Sequence, residues 1–201
     1  MRALIFLCAL FSGTTFAANY VQQPGSSLGF TGSYQGEAFT GSFAKFSSAI
    51  NFDPAKLAQS RFDVRITLGS ANTKNSERDE MLLGPDFFNI KAQTEARYVA
   101  TKFRALGNNR FVADGVLSLR GVLKPAPLTF TWTPGAKPQL VGTAKIQRLD
   151  FKVGIGDWDD VELIPNTVAV NTRLILSLAA AQPKAIKPAP KQPKASVPAR
   201  P

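Results

Sequence analysis

Phe111-Val112-Ala113-Asp114-Gly115-Val116-Leu117-Ser118-Leu119 decides the fold. Its odd-numbered members Phe111, Ala113, Gly115, Leu117 and Leu119 form one apolar row, and a two-residue period of this kind is a β-strand with one buried face. Just before it, Gly107-Asn108-Asn109 tolerates positive φ and predicts a hairpin turn. Just after it, Arg120 to Pro125 turns the chain into a returning strand on which Leu128, Phe130 and Trp132 alternate. The small residues Ala113 and Gly115 are predicted to leave space inside whatever the strand encloses.

The same period extends outward in both directions. Upstream, Leu28 and Phe30 hint at a first strand. Phe39, Gly41 and Phe43 keep the period, and Phe46, Ser48, Ile50 and Phe52 resume it after a phase slip at Lys45. Such a slip predicts a bulge or bend. Phe62, Val64, Ile66 and Leu68 alternate with Arg61, Asp63, Arg65 and Thr67; a later strand carries Val99, Thr101 and Phe103 on one face. Downstream come a strand from Val141 to Phe151 and a last one with Val168, Val170, Thr172, Leu174, Leu176 and Leu178 aligned. About eight antiparallel strands joined mostly by short turns mean a sandwich or a barrel, and eight closed strands enclose room for side chains or one small ligand.

Only Ser70 to Phe88 abandons the alternation. There Glu77-Arg78-Asp79-Glu80 abuts Met81-Leu82-Leu83, and Gly84-Pro85 delivers Phe87-Phe88. A short helix near 76–84 is expected, with Ser76 at its N-cap and Asp79 near the positive end of the dipole. It reads as a plug or lid on one end of the β structure.

Met1-Arg2, the apolar run Ala3–Phe11 and the small residues up to Ala17 fit a secretory signal peptide, so residues 1–17 are expected to be removed on export to the periplasm. The body is expected to span 18–180. Cys8 is the single cysteine and the chain has no His. After cleavage, disulfides, thiolate nucleophiles, His-based triads and Cys/His zinc sites are therefore absent. Carboxylates, Tyr, Lys and hydroxyls remain.

The formal charge of +10 is unevenly spread. Residues 181–201, rich in Pro, Lys and Ala, hold Lys184, Lys187, Lys191, Lys194 and Arg200 without an acid. That composition predicts an extended, disordered basic tail. The rest of the mature chain has 18 bases against 14 acids. Nothing there makes the basic stripe with aromatics that nucleic-acid binding wants, so no nucleic-acid partner is expected. The tail suits an anionic membrane or cell-wall surface.

Several motifs resemble one family. Gly41-Ser42-Phe43, Phe52-Asp53-Pro54, Arg78-Asp79-Glu80 with Asp86-Phe87-Phe88, the central hairpin Phe111–Val122 with Lys124-Pro125, and Arg148-Leu149-Asp150-Phe151-Lys152-Val153-Gly154 with Asp157-Trp158 occur in the order seen in the YceI-like family. The resemblance covers roughly 27–178. A His-Ser pair common near that family's N-terminus has no counterpart here. The resemblance implies an exported all-β protein: a single antiparallel eight-stranded lipocalin-like barrel with a short helical insert. It also implies an isoprenoid lipid, a polyprenyl chain or isoprenoid quinone, as the bound ligand in an apolar cavity.

On that reading the cavity candidates are Phe43, Phe52, Val64 and Ile66 on the early strands, with Phe87 and Phe88 from the insert. Phe103, Phe111, Ala113, Gly115 and Leu117 come from the central hairpin, and Phe130, Trp132, Phe151 and Trp158 from the return and late loop. For any single Phe taken alone, ordinary packing is the better explanation. Arg78 and Asp79, with Arg148 and Arg120 as weaker members, are candidates for a polar head group at the mouth; the alternative for Arg78 and Asp79 is that they fix the insert. No covalent chemistry, cofactor or metal is expected. Asp157, Asp159, Asp160 and Glu162 do not match the EF-hand spacing. They leave open a carboxylate-based hydrolase, which needs one acid protonated in an apolar pocket. A third reading is an envelope interaction module acting through its basic tail.

Overall fold

The computed structural model describes residues 18–179. The proposed signal segment 1–17 and basic tail 181–201 lie outside the described residues. In chain order the strands are β1 (Asn19–Gln22), β2 (Ser27–Tyr34), β3 (Glu37–Phe43), β4 (Phe46–Asn51), β5 (Arg61–Thr67) and β6 (Ala71–Asn72). After helix α1 (Ser76–Leu83) come β7 (Glu95–Gly107), β8 (Arg110–Leu119), β9 (Val122–Thr133), β10 (Gln139–Gln147) and β11 (Thr167–Leu178).

All pairings are antiparallel, in the order β1-β4-β5-β7-β8-β9-β10-β11, and β11 pairs back to β1. The ring closes on eight strands. β2 continues the line of β1 along β11, and β3 continues that of β4, so these four pieces are two long strands, each broken once. The break at Lys45 is the bend that the phase slip foretold. There the Ala44 N–H donates to the Ser70 carbonyl and the Lys45 N–H to Ser70 Oγ, tying the bend to the turn after β5.

Every loop falls at one of two ends. One end carries the turns after β2, β8 and β10 and the long insert between β5 and β7. The other carries the turns after β4, β7 and β9 and the two ends of the described chain. Gly107, Asn108 and Asn109 all take positive φ in the β7–β8 turn, as the hairpin motif requires.

Three local expectations are corrected. The N-cap of α1 is Asn75, whose side chain accepts from the Arg78 N–H at 2.9 Å; Asn caps as well as Ser does, and it sits one residue earlier. The strand expected to reach Phe151 stops at Gln147, and Arg148–Phe151 curls into a 3₁₀ turn. In β7 a bulge between Ala100 and Phe103 shifts the pairing with β8. Phe103 therefore packs in the same cluster as Ala100, not on a common face with Val99 and Thr101.

The interior has two layers. At the end holding the two ends of the described chain, Phe52 is a hub: the rings of Phe62, Phe103, Phe111, Phe130 and Trp132 lie with centroids 5.0–5.9 Å from its own, at angles between tilted and edge-on. Each such pair adds about 0.5–1.5 kcal/mol beyond area burial. This layer is solid. The second layer, of Phe30, Leu68, Leu82, Phe87, Phe88, Ile146 and Val153 among others, lies under α1 and the 150–166 segment. It is hollow.

Candidate functional site

The hollow layer encloses a cavity of about 210 Å³, just below the ~300–1,000 Å³ usual for small-molecule sites. Phe43, Val64, Ile66, Leu117, Phe87 and Phe88 line it, as the sequence led one to expect. So do residues not singled out as site residues: Phe30, Leu82, Ile146, Val168, Val170 and Leu174. The alternation along β11 carried enough signal to find the last three. Ile50, Phe62, Leu140 and Leu174, members of the aromatic layer, line it where the two layers meet.

The remaining candidates lie outside the lining. Phe52, Phe103, Phe111, Ala113, Phe130 and Trp132 belong to the solid layer, because so many rings on adjacent strands fill their own end. Phe151 is buried in the wall of the hollow layer, and Trp158 packs on its outside, 5.7 Å from Phe87 and 6.5 Å from Tyr34. Gly115 corrects the expectation of empty space. A Cβ built on it would meet the Tyr98 ring at 2.2 Å, so Tyr98 already occupies that volume. The Tyr98 hydroxyl donates to the Ala113 carbonyl at 3.0 Å. Burial, with the Asp114 carboxylate adding to it, pushes the phenol pKa far above its ordinary value.

α1 is pinned rather than poised over a head group. The Asp79 carboxylate accepts from both the backbone N–H and the hydroxyl of Thr73, each at 2.7 Å. Arg78 donates from Nε to Thr73 Oγ1 at 2.9 Å and stacks 4.3 Å over the Phe39 ring. Both therefore fix the insert, the second of the two roles the sequence left open, and neither lines the cavity. Arg120 also serves the insert, donating to the Phe87 carbonyl.

Arg148 differs. It is 4% exposed and is the charged residue in the cavity lining. Its guanidinium reaches no carboxylate. Nη1 donates to the carbonyls of Val153 (3.1 Å) and Gly154 (2.6 Å), Nη2 to that of Ile164 (2.7 Å), and Nε to those of Ile164 and Pro165. Burial lowers its pKa, partly offset by Asp159. The five N–H groups knit 150–166 into a strap across the barrel end, which explains why β10 ends at Gln147. The strap also meets the insert, as the Gly154 and Ile155 N–H groups both donate to the Asp86 carbonyl. Asp157, Asp159, Asp160 and Glu162 on this strap are exposed, and none lines the cavity. Among the described residues no cluster of acids suited to a metal ion occurs.

A closed eight-stranded barrel with one solid half and one hollow, apolar half under a helix and a strap has the architecture of a small-molecule binding protein. A YceI-like domain model matches residues 20–176, and the chain belongs to the YceI-like family. A UPF0312 protein of Shewanella denitrificans is 34% identical over 132 residues, 64% of this chain and 69% of that protein. One from Pseudomonas syringae pv. syringae is 30% identical over 165 residues, 76% of this chain and 86% of that protein. Among solved structures, Burkholderia cenocepacia BcnA superposes with a TM-score of 0.72 at 26% identity, covering 75% of this chain and 95% of that one. A polyisoprenoid-binding domain from Saccharophagus degradans superposes at 0.60 with 18% identity, covering 81% and 99%; that likeness is one of fold.

Proposed function

We propose that this protein binds an isoprenoid lipid in the hollow half of the barrel and holds it without covalent chemistry. The observation that carries the reading is the cavity itself: about 210 Å³, walled by Phe, Leu, Ile and Val, and stopped at one end by packed rings. A branched hydrocarbon gains about 0.8 kcal/mol per CH₂ it buries there, less the cost of ordering its chain. The polyisoprenoid-binding description of the Saccharophagus domain supports the ligand class. Arg148 puts a positive charge at the strap end of an otherwise apolar lining. With its N–H groups held by backbone carbonyls, it would favour an electron-rich head group there, a quinone carbonyl or a prenyl phosphate, through its charge alone, with the isoprenoid tail toward the aromatic layer. A lipid longer than the cavity displaces the strap or α1 as it enters. The signal-like segment 1–17 supports a periplasmic setting, where such a carrier shields its cargo from water.

The test is native mass spectrometry of protein isolated without detergent from a producing bacterium, followed by organic extraction. A stoichiometric polyprenyl or quinone mass is expected. An empty protein that also takes up no added isoprenoid overturns the reading.

A further inference from the structure

Charge is distributed along the barrel axis in a way that cavity binding does not require. The two segments covering the hollow end, 76–88 and 150–162, hold nine of the fourteen acids of the chain against two bases, Arg78 and Lys152. The solid end is the reverse, apart from Asp53, which shares the turn after β4 with Lys56. Residues 102–110 of the β7–β8 hairpin carry Lys102, Arg104 and Arg110, and the β9–β10 turn carries Lys137, with no acid in either stretch. All four are exposed. Arg104 pairs with Asp114 through Nε and Nη2, at 2.7 and 2.9 Å, and Lys102 lies in the field of the same carboxylate; Arg110 and Lys137 stand exposed with no acid in their own stretches.

These turns form one face. The Trp132 N–H donates to the Asn109 carbonyl, and the Leu176 N–H to that of Pro138, joining the hairpin tip, the β9–β10 turn and the end of β11. The described chain leaves from this face, since Ala179 donates its N–H to Asn19 and Leu178 pairs with Tyr20. The sequence continues from there with five further bases, Lys184, Lys187, Lys191, Lys194 and Arg200. Two leucines stand out among the bases: Leu106 at the hairpin tip, 49% exposed, and Leu178, 65% exposed.

We propose that the solid end is a docking face for an anionic phospholipid bilayer, with the cavity cap turned away from it. Bases attract the anionic surface within a Debye length, and exposed leucines at the tips are suited to entering the headgroup layer. The acidic cap is repelled by the same field, so the two ends together orient the barrel. A soluble polyanion would use the bases and gain nothing from Leu106, and this decides for a bilayer. The docking is independent of what the cavity holds, so it stands or falls separately from the isoprenoid reading.

The experiment is vesicle flotation with the full chain, comparing phosphatidylglycerol-rich with pure phosphatidylcholine vesicles at low and high salt. Binding to the anionic vesicles alone, lost at high salt, is expected. Each base near such a surface contributes about fivefold. The variant Lys102→Gln/Arg110→Gln/Lys137→Gln should therefore bind about a hundredfold more weakly, and Leu106→Asp should also weaken binding. Asp157→Asn/Asp159→Asn at the cap should not. A bilayer-buried quencher should reach a fluorophore at Asn108→Cys and spare one at Asp159→Cys. Unchanged binding by the triple variant, with all affinity lost on replacing Lys184, Lys187, Lys191 and Lys194 by Gln, would assign the attraction to the tail and overturn the face. Equal affinity for dissolved polyphosphate, unaffected by Leu106→Asp, would overturn the bilayer as partner.

Discussion

Single residues fix which half of the barrel is hollow. Tyr98 reaches over Gly115 and anchors its hydroxyl on the Ala113 carbonyl, filling space that the small residues of β8 would otherwise leave. Gly115→Ala forces its Cβ against that ring and should destabilise the protein by about 1–3 kcal/mol in urea unfolding. Because the fold favours the neutral phenol, Tyr98 supports stability below the ordinary phenol pKa of ~10, and that support is lost as pH climbs above it. Tyr98→Phe should cost about 1 kcal/mol at neutral pH for the lost hydrogen bond and flatten the alkaline limb of a stability-versus-pH curve. An alkaline limb as steep in the variant as in the parent would show that Tyr98 does not titrate with unfolding. Arg148 is the second decisive residue. Arg148→Met leaves the Val153, Gly154 and Ile164 carbonyls without their donor and should cost about 2–5 kcal/mol. Arg148→Lys should not rescue it, since an ammonium cannot reproduce the planar fork. Hydrogen exchange is expected to quicken first in 150–166.

Elements carry the part of the design that was legible in sequence. The alternation on β4, β5, β8 and β11 gave strand identity and facing, the slip at Lys45 located the bend, and the loss of period after Leu68 located α1. Arg78 and Asp79 were recognisable as important, but their partner, Thr73, has no periodic mark, so the pattern alone does not choose between clamping and ligand contact. The bulge in β7 and the 3₁₀ turn at Arg148 were illegible for a related reason. Both are fixed by contacts across the fold, the first by pairing with β8 and the second by carbonyls up to seventeen residues away. The division into a solid and a hollow layer was also hidden, because it depends on which Phe share a level around the ring. If α1 is part of the entrance, loosening it changes rates more than capacity. Asp79→Asn should speed isoprenoid release several-fold, read by competition with a fluorescent analogue, while the bound stoichiometry stays the same. Unaltered release would place the entrance at the strap instead.

At the scale of the molecule, the proposed function puts stability and binding in different halves of one barrel. The aromatic layer around Phe52 packs ring against ring, and the cavity lies in the other layer. A bound lipid then adds stability only by mass action, growing with its concentration above Kd. The hollow half tolerates what the solid half does not, namely added volume. Ala144 lines the cavity and packs against the hollow layer, and an extra ring there should fill the space proposed for the ligand. The decisive measurement is isoprenoid binding by the parent and by Ala144→Phe, followed by thermal shift and by extraction of bound lipid. A lipid-holding cavity requires that Ala144→Phe fold with equal or greater stability and lose most of its uptake and its ligand-induced rise in Tm. Full uptake by a stably folded Ala144→Phe would mean that the lipid sits elsewhere and that the hollow half is not the binding site.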